Sequence, residues 1–411
     1  MADAAERLLL AALSCPPGDP GPAPREPGEW ERLLALAAAA GVSPQLYLYL
    51  QGREGVPSAV SGRLAALYHA NAARSRRLRT LAVEVTGQLA QAGIPCCLLK
   101  GTALHETMRG ADWSRRFSAD LDLLLGEGDL ERAWELLRGL GGQAELPADG
   151  GHHHLPALFL EGFPVELHHT ICRPSLGVRL DVEQMRKRAR APAGSPLAVL
   201  APGDQLLHLC LHLAGSHGFT QGLRGLHDLG LLVWRLGSEL DWEELLAASR
   251  EMGSTPYLYH ALAPAARLLG APVPPEVLFD LGRRLPAGPA TSRLAQAAIR
   301  QQLLPWRWPR RHLPPHFSAH LCYCLVAPMS GPARLGGLLK MALVPLDWSR
   351  PEPWPLPAPR HLPYPVWIGI RPALLTVRYL WRMLGLSPPP RRLLNPRLCA
   401  RPRQLRRPGV H

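Results

Sequence analysis

The sequence predicts an α+β fold, mostly helical, in which one small mixed β-sheet lies between helical N-terminal and C-terminal regions. Three observations carry this. Long stretches on both sides place apolar residues at helical spacing. Between them the texture switches to short apolar runs separated by Gly-containing turns. Within one of those runs stand two acids, Asp120 and Asp122. The 411 residues divide accordingly into a helical region (1–92), an α/β unit (93–175), a second helical region (176–303) and a Pro/Arg-rich region with short helices (304–411).

The elements follow in order. Residues 30–40 are apolar and Ala-rich and stop at Gly41. Residues 58–91 form a long amphipathic helix with Leu64, Leu67, Leu78, Leu81, Val85 and Leu89 on its apolar side, broken by Gly93-Ile94-Pro95. Residues 96–99 read as a buried strand, Lys100-Gly101-Thr102 as a turn and 103–108 as a short helix. Residues 119–125 read as a second strand, and 129–140 as a helix ended by Gly141-Gly142. Segments 155–161 and 164–170 form a hairpin around Glu161-Gly162-Phe163. Helical texture returns at 203–216, 222–236, 242–252, 257–269 and 292–303. Beyond a Pro/Arg/Trp connector come short helices at 319–328 and 333–344, a proline-rich loop at 345–365, and a basic amphipathic helix at 372–384. The tail from Ser387 is rich in Pro and Arg.

Composition narrows the function classes. Hydrophobic residues make up 47% and charged residues 19%, enough apolar supply for a packed core, which excludes wholesale disorder. Eight cysteines without any C-x-x-C spacing exclude a zinc ribbon and a dithiol redox motif. No secretory leader pattern and no apolar run of about 18 residues stand in the chain, so a cytoplasmic protein without a transmembrane segment is expected. Net charge is +13, and of 46 basic residues only Lys100, Lys187 and Lys340 are lysine. The Arg excess has two readings: the composition of a GC-rich genome, or attraction to phosphate, nucleic acid or an anionic membrane face.

The sharpest motif is Asp120-Leu121-Asp122, followed by Leu123-Leu124-Leu125. Strand alternation puts both carboxylates on one face, about 7 Å apart. Asp is depleted in strands, and two on one face need compensation, which a divalent cation supplies. Glu166 is a lone acid in the apolar run Phe163-Pro164-Val165-Glu166-Leu167. If its strand pairs beside that of Asp120, three carboxylates converge, a set suited to metal-assisted phosphoryl transfer. A D-x-D at a strand edge facing water is the plain alternative. Lys100-Gly101-Thr102 opens a helix whose N-terminal N–H groups can meet phosphate, and Arg115 and Arg116 lie just upstream of the acids, placed to neutralise a triphosphate. By alternation His168 shares the face of Glu166.

The order Leu98-Leu99-Lys100-Gly101, Arg116-Phe117-Ser118-Ala119-Asp120-Leu121-Asp122-Leu123-Leu124 and Val165-Glu166-Leu167-His168 resembles a poorly characterised bacterial nucleotidyltransferase family of the DNA polymerase β-like superfamily. The stretches Gly203 to His208 and Arg224 to Leu229 resemble the helices that follow in that family. The resemblance covers roughly 94–235. It implies a nucleotidyltransferase core with one or two Mg²⁺ ions, moving an NMP from an NTP to a hydroxyl or phosphate acceptor with release of pyrophosphate. Asp120, Asp122 and Glu166 would be the catalytic acids and metal ligands. Lys100, Gly101, Thr102, Arg115, Arg116 and His168 would bind the nucleotide. The turn reads Gly-Thr where the superfamily has Gly-Ser or Gly-Gly, and the gap to Asp120 is longer than in minimal enzymes.

The remaining motifs are weaker. His208 and His212 stand i, i+4 on one helix with His217 beyond, but no third ligand or general base accompanies them, so they read as core or site-lining side chains. Three histidines at 152–154 read as loop. No G-x-S-x-G elbow, Walker A or G-x-G-x-x-G is present. Trp367, Tyr379 and Trp381 with Arg371, Arg378 and Arg382 give an aromatic-basic segment that packs on the body, lies weakly on an anionic surface or contacts RNA. The acceptor is a small molecule, RNA or protein. A catalytically inactive binding protein on the same fold, or an Arg-rich RNA-binding protein, are the rival functions.

Overall fold

The computed structural model describes residues 3–19, 21, 23–108, 113–144, 155–286, 289–307, 315–328 and 334. The chain begins with α1 (Ala4–Leu13), α2 (Pro27–Ala39), α3 (Ser43–Leu50) and the long α4 (Ser58–Gln91). The α/β unit follows: β1 (Cys97–Leu98), α5 (Lys100–Thr107), β2 (Leu121–Leu124), α6 (Leu130–Gly139), β3 (Gln143–Ala144), β4 (Leu158–Leu160) and β5 (Phe163–His168). Eight helices complete it: α7 (Val182–Arg188), α8 (Pro202–Cys210), α9 (Gly222–Leu236), α10 (Trp242–Met252), α11 (Thr255–Leu269), α12 (Pro275–Arg283), α13 (Pro289–Leu303) and α14 (Pro315–Val326). The fold is α+β and mostly helical, as expected.

The five strands form one mixed sheet in the order β1-β2-β5-β4-β3. β2 and β5 run parallel at its centre, and the other pairs are antiparallel. The β4–β5 turn has Glu161 and Gly162 at φ +50° and +79°, the left-handed pair of a two-residue hairpin. One face of the sheet presents Leu121, Leu123, Val165 and Leu167, packed with Ala133 and Leu137 of α6 and with Leu78, Leu81, Ala82, Val85 and Leu89 of α4. The 3–4 spacing of those α4 residues makes the stripe. Leu67, by contrast, falls outside it and is 52% exposed. α4 ends in a Schellman cap: Gly93 stands at φ +71°, its N–H bonds Ala90 O, and the Ile94 N–H bonds Leu89 O.

The other face of the sheet turns to the helical body. That body has a single apolar core shared by helices from both ends of the chain, from Leu9 and Leu33 to Leu226, Leu262 and Leu303. Sequence periodicity predicts one helix over 203–216; instead α8 gives way at Leu211 to a π-helical turn, Leu211–Ser216. The helices α7 and α12 and the short strand β3 are additions to the sequence reading. The expected helices at 333–344, apart from residue 334, and 372–384, the loop at 345–365, the aromatic-basic segment and the histidines at 152–154 lie outside the described residues. No described helix is long and apolar enough to cross a membrane, and the seven described cysteines are free thiols.

Candidate active site

Register in the parallel pair decides which acids meet. Asp122 is the direct partner of Glu166, and Leu124 of His168. Alternation then sends Asp122, Glu166 and His168 to the face opposite Leu121, Leu123 and Leu167. Ligand atoms of Asp122, Glu166 and His168 lie within 4.8 Å of one another. His168 Nε2 is 2.9 Å from Asp122 Oδ1 and 3.2 Å from Glu166 Oε2. Asp122 and His168 are each 1% exposed, at the floor of the site. Asp120, just before β2, lines the open cleft above them with Glu166.

Lys100 reaches into this group from the start of α5. Its Nζ donates to Asp122 Oδ1 at 2.5 Å and to Glu166 Oε2 at 3.2 Å. Its backbone sits at φ +50°, which non-glycine residues rarely adopt. Leu99 N–H donates to Asp122 O at 3.0 Å, fixing the turn beside β2. Burial works against the Lys100 charge, but Asp122 and Glu166 outweigh it and hold the ammonium protonated well beyond the usual range. Burial likewise opposes ionisation of Glu166, yet the His168 hydrogen bond and the Lys100 charge keep its carboxyl far below the ordinary value. Asp120 goes the other way: burial, then the Asp122 charge, pushes it up to about 6 despite Lys100.

The cleft has a volume of about 450 Å³. Its sheet-side wall carries Lys100, Gly101, Arg116, Asp120 and Glu166. The opposite wall comes from the π-helical turn, α9 and the loop after β5: His212, His217, Gln221, Arg173 and Arg224. A π turn carries an extra residue per turn and commonly marks functional sites; here it holds His212 on the cleft wall. Gln221 Nε2 lies 2.8 Å from His212 Nε2, an amide donor to an uncharged imidazole. Burial, and then neighbouring cations, lower both histidines, His212 well below its usual value and His217 to about 4.

Arg116 lies in the cleft wall as a clamp. Its Nε is 2.8 and 2.9 Å from the two Asp228 oxygens, and its Nη1 donates to Ser118 Oγ at 2.6 Å. The guanidinium passes so close to Gly101 that a Cβ there would meet Arg116 Nη1 at 2.1 Å. A side chain at 101 would have to displace the Arg116 guanidinium from its bonds to Asp228 and Ser118. Arg173 and Arg224 make no hydrogen bond or ion pair with a carboxylate among the described residues, although Arg224 is half-buried.

Of the residues singled out from sequence, Lys100, Gly101, Arg116, Asp120 and Glu166 line the cleft, with Asp122 and His168 beneath. Two do not join them. Thr102 is buried, with its hydroxyl donating to Leu99 O at 2.9 Å. Arg115 lines a separate cavity beside Tyr49 and Trp234. Among the cleft residues to which the sequence assigns no role are Arg173, Gln221, Arg224 and Asp228. His212 and His217 stand there as core or site-lining candidates and line the site.

The arrangement can hold a dication on carboxylates at one wall and an anion on free cations at the other. A family model described as an uncharacterised nucleotidyltransferase matches residues 26–270, which covers the cleft in full. No curated protein matches the chain.

Proposed function

The chain belongs to this nucleotidyltransferase family and so to the transferases, and from that premise we propose that its cleft moves an NMP from an NTP to a hydroxyl or phosphate acceptor. One observation carries the reading: Asp122 and Glu166 converge with His168 at the floor of a cleft that Asp120 also lines, and the opposite wall offers Arg173 and Arg224, which have no carboxylate partner among the described residues. Carboxylates that close to each other suit a hard dication such as Mg²⁺, and the donor set fits it. Asp120, Asp122 and Glu166 would hold the ion, which would supply charge neutralisation at the phosphate oxygens.

The residues of the chain do the rest. The acceptor oxygen forms a bond to the α-phosphorus, the bond to the bridging α–β oxygen breaks, and pyrophosphate leaves with that electron pair. Arg173 and Arg224 bind the β- and γ-phosphates and take up the charge of the leaving group. The proton of the acceptor passes to Asp120, the carboxylate that stands on the open cleft beside Glu166. Arg116, clamped by Asp228, holds the segment from Phe117 to Asp120 at the cleft. Phe117, 38% exposed at the cleft, offers a face to the base. Free thiols at every described cysteine suit a reducing cytoplasm.

The test is incubation of purified protein with each labelled NTP, Mg²⁺ and cell extract, with identification of whatever becomes labelled. Labelling of an acceptor with stoichiometric pyrophosphate, abolished in Asp120→Asn, is expected. NTP binding without pyrophosphate release would replace the enzyme by a binding protein.

A further inference from the structure

Lys100 stands where a metal ion would bridge the two paired strands. We propose that Lys100 is an internal substitute for the dication: its ammonium occupies the bridging position between Asp122 and Glu166, the ion enters by displacing it, and the displaced ammonium moves onto the triphosphate. Metal and nucleotide then bind cooperatively. This rests on the nucleotidyl-transfer reading and adds to it an order of events and a role for one side chain.

The geometry is specific. Nζ lies 2.5 Å from Asp122 Oδ1 and 3.2 Å from Glu166 Oε2. These are the same two oxygens that converge on His168 Nε2. A Mg²⁺ or Mn²⁺ ion bound to that pair would sit about 2.0–2.2 Å from each oxygen, within the volume the ammonium fills. Two cations on one pair of oxygens repel strongly in a half-buried site. The choice is therefore exclusive.

Three features favour exchange over a permanent ion pair. The ammonium is a compact charge on a flexible four-carbon stem, able to swing while its Cα stays fixed. The Cα is fixed, in a left-handed conformation at φ +50° and next to Asp122, whose O accepts from Leu99 N–H. The side chain lines the cleft and is 16% exposed, so its outward path leads into the space shared with Arg173 and Arg224. The charge count agrees. With Lys100 in the bridge, Asp122 and Glu166 are paired while Asp120 has no hydrogen bond or ion pair among the described residues. A dication in the bridge would serve all three.

The probe is Mn²⁺ alone, its free concentration read by electron paramagnetic resonance, on full-length protein. Lys100→Met is expected to bind Mn²⁺ at least ten-fold more tightly than wild type in the absence of nucleotide. A non-hydrolysable NTP analogue is expected to tighten Mn²⁺ binding in wild type more than in Lys100→Met. Unchanged or weaker Mn²⁺ binding by Lys100→Met overturns the proposal. Should that variant fail to fold, wild type suffices: millimolar Mn²⁺ should raise amine-reagent labelling of Lys100, read by peptide mass spectrometry, and the analogue should suppress it. Labelling indifferent to Mn²⁺ overturns the proposal equally. Asp122→Asn separates the two levels. If it removes Mn²⁺ binding while Lys100→Met leaves that binding unchanged, the nucleotidyl-transfer reading stands and the exchange fails. If no variant alters Mn²⁺ binding, both fall.

Discussion

Asp120 is charged at neutral pH at a cost. An aspartate whose carboxyl is pushed up to about 6 by burial and by Asp122 disfavours the folded state once it ionises. The sign follows from the two pKa values. Below about 4 the side chain is protonated folded and unfolded and costs nothing. The penalty grows between about 4 and 6 and is complete above. Asp120→Asn should therefore stabilise the protein by roughly 1–3 kcal/mol at pH 8, allowing for partial exposure, and by little at pH 4. It should also abolish transfer. Denaturant melts at the two pH values check this, and a variant less stable than wild type at pH 8 would contradict it. Arg224 supports a second expectation. It is half-buried with no carboxylate partner among the described residues, and the Arg116 charge beside it adds to the burial that lowers its pKa. Arg224→Ala should raise the KM for NTP about ten-fold or more, the range of a lost charge-assisted hydrogen bond. Wild-type KM in that variant would remove Arg224 from the triphosphate site. Neither Arg224 nor Arg173 was legible in the sequence, because in a chain with this many arginines nothing local marks the two that lack partners. That Asp122 and Glu166 stand side by side on paired strands was legible, since an acid inside an apolar strand has few alternatives; Asp120 lies just outside β2 on the cleft wall.

Elements differ in how openly they declare themselves. α10 could be bounded from sequence because its ends carry chemistry. Asp241 accepts from the Glu244 N–H at the start of α10, and Gly253 at φ +76° ends it. α12 hid because only Val277 and Leu281 are buried, too few to show a period. β3 hid because both its residues are exposed. The π turn Leu211–Ser216 hid for another reason: one extra residue per turn over so short a span leaves the apolar spacing almost unchanged. Its effect is nonetheless large, since it sets His212 and His217 in the cleft. Both are lowered by burial, His217 to about 4. A base with a depressed folded pKa leaves the unfolded chain binding more protons below about 6.5, so stability is full above that value and falls toward pH 4. His260, also lowered to about 4 by burial on α11, adds to the same window. Stability measured from pH 7 to 4.5 should decline, and His217→Gln should flatten the decline. An unchanged slope would place His217 in contact with water rather than in the buried wall.

At the scale of the whole molecule the sheet is not self-sufficient. Its apolar face is covered by the last half of α4, from Leu78 to Leu89, and its acidic face by α8, the π turn and α9. The helices that do the covering are braced in turn by the chain ends. Leu9 and Leu13 of α1 are fully buried in the core that holds Leu258 and Leu262 of α11, and Cys15 N–H donates to Leu269 O at 2.7 Å. The helical stretches before and after the α/β unit, which the sequence texture separates, thus share one interior. This has a consequence for dissection. A fragment of residues 93–175 lacks both covers and should show no cooperative melt by circular dichroism. A fragment of residues 26–270, the span of the family match, keeps the cleft but loses α1, α12, α13 and α14. Removing Leu8, Leu9 and Leu13 alone uncovers three buried leucines, each of which contributes about 1.5–3 kcal/mol. The total approaches the whole stability of an ordinary domain. The shorter fragment should therefore melt well below the full chain or fail to fold, and adding back residues 3–25 should recover part of that loss. Equal melting temperatures for the trimmed and full chains would mean that the cleft is held by the α/β unit and its nearest helices alone.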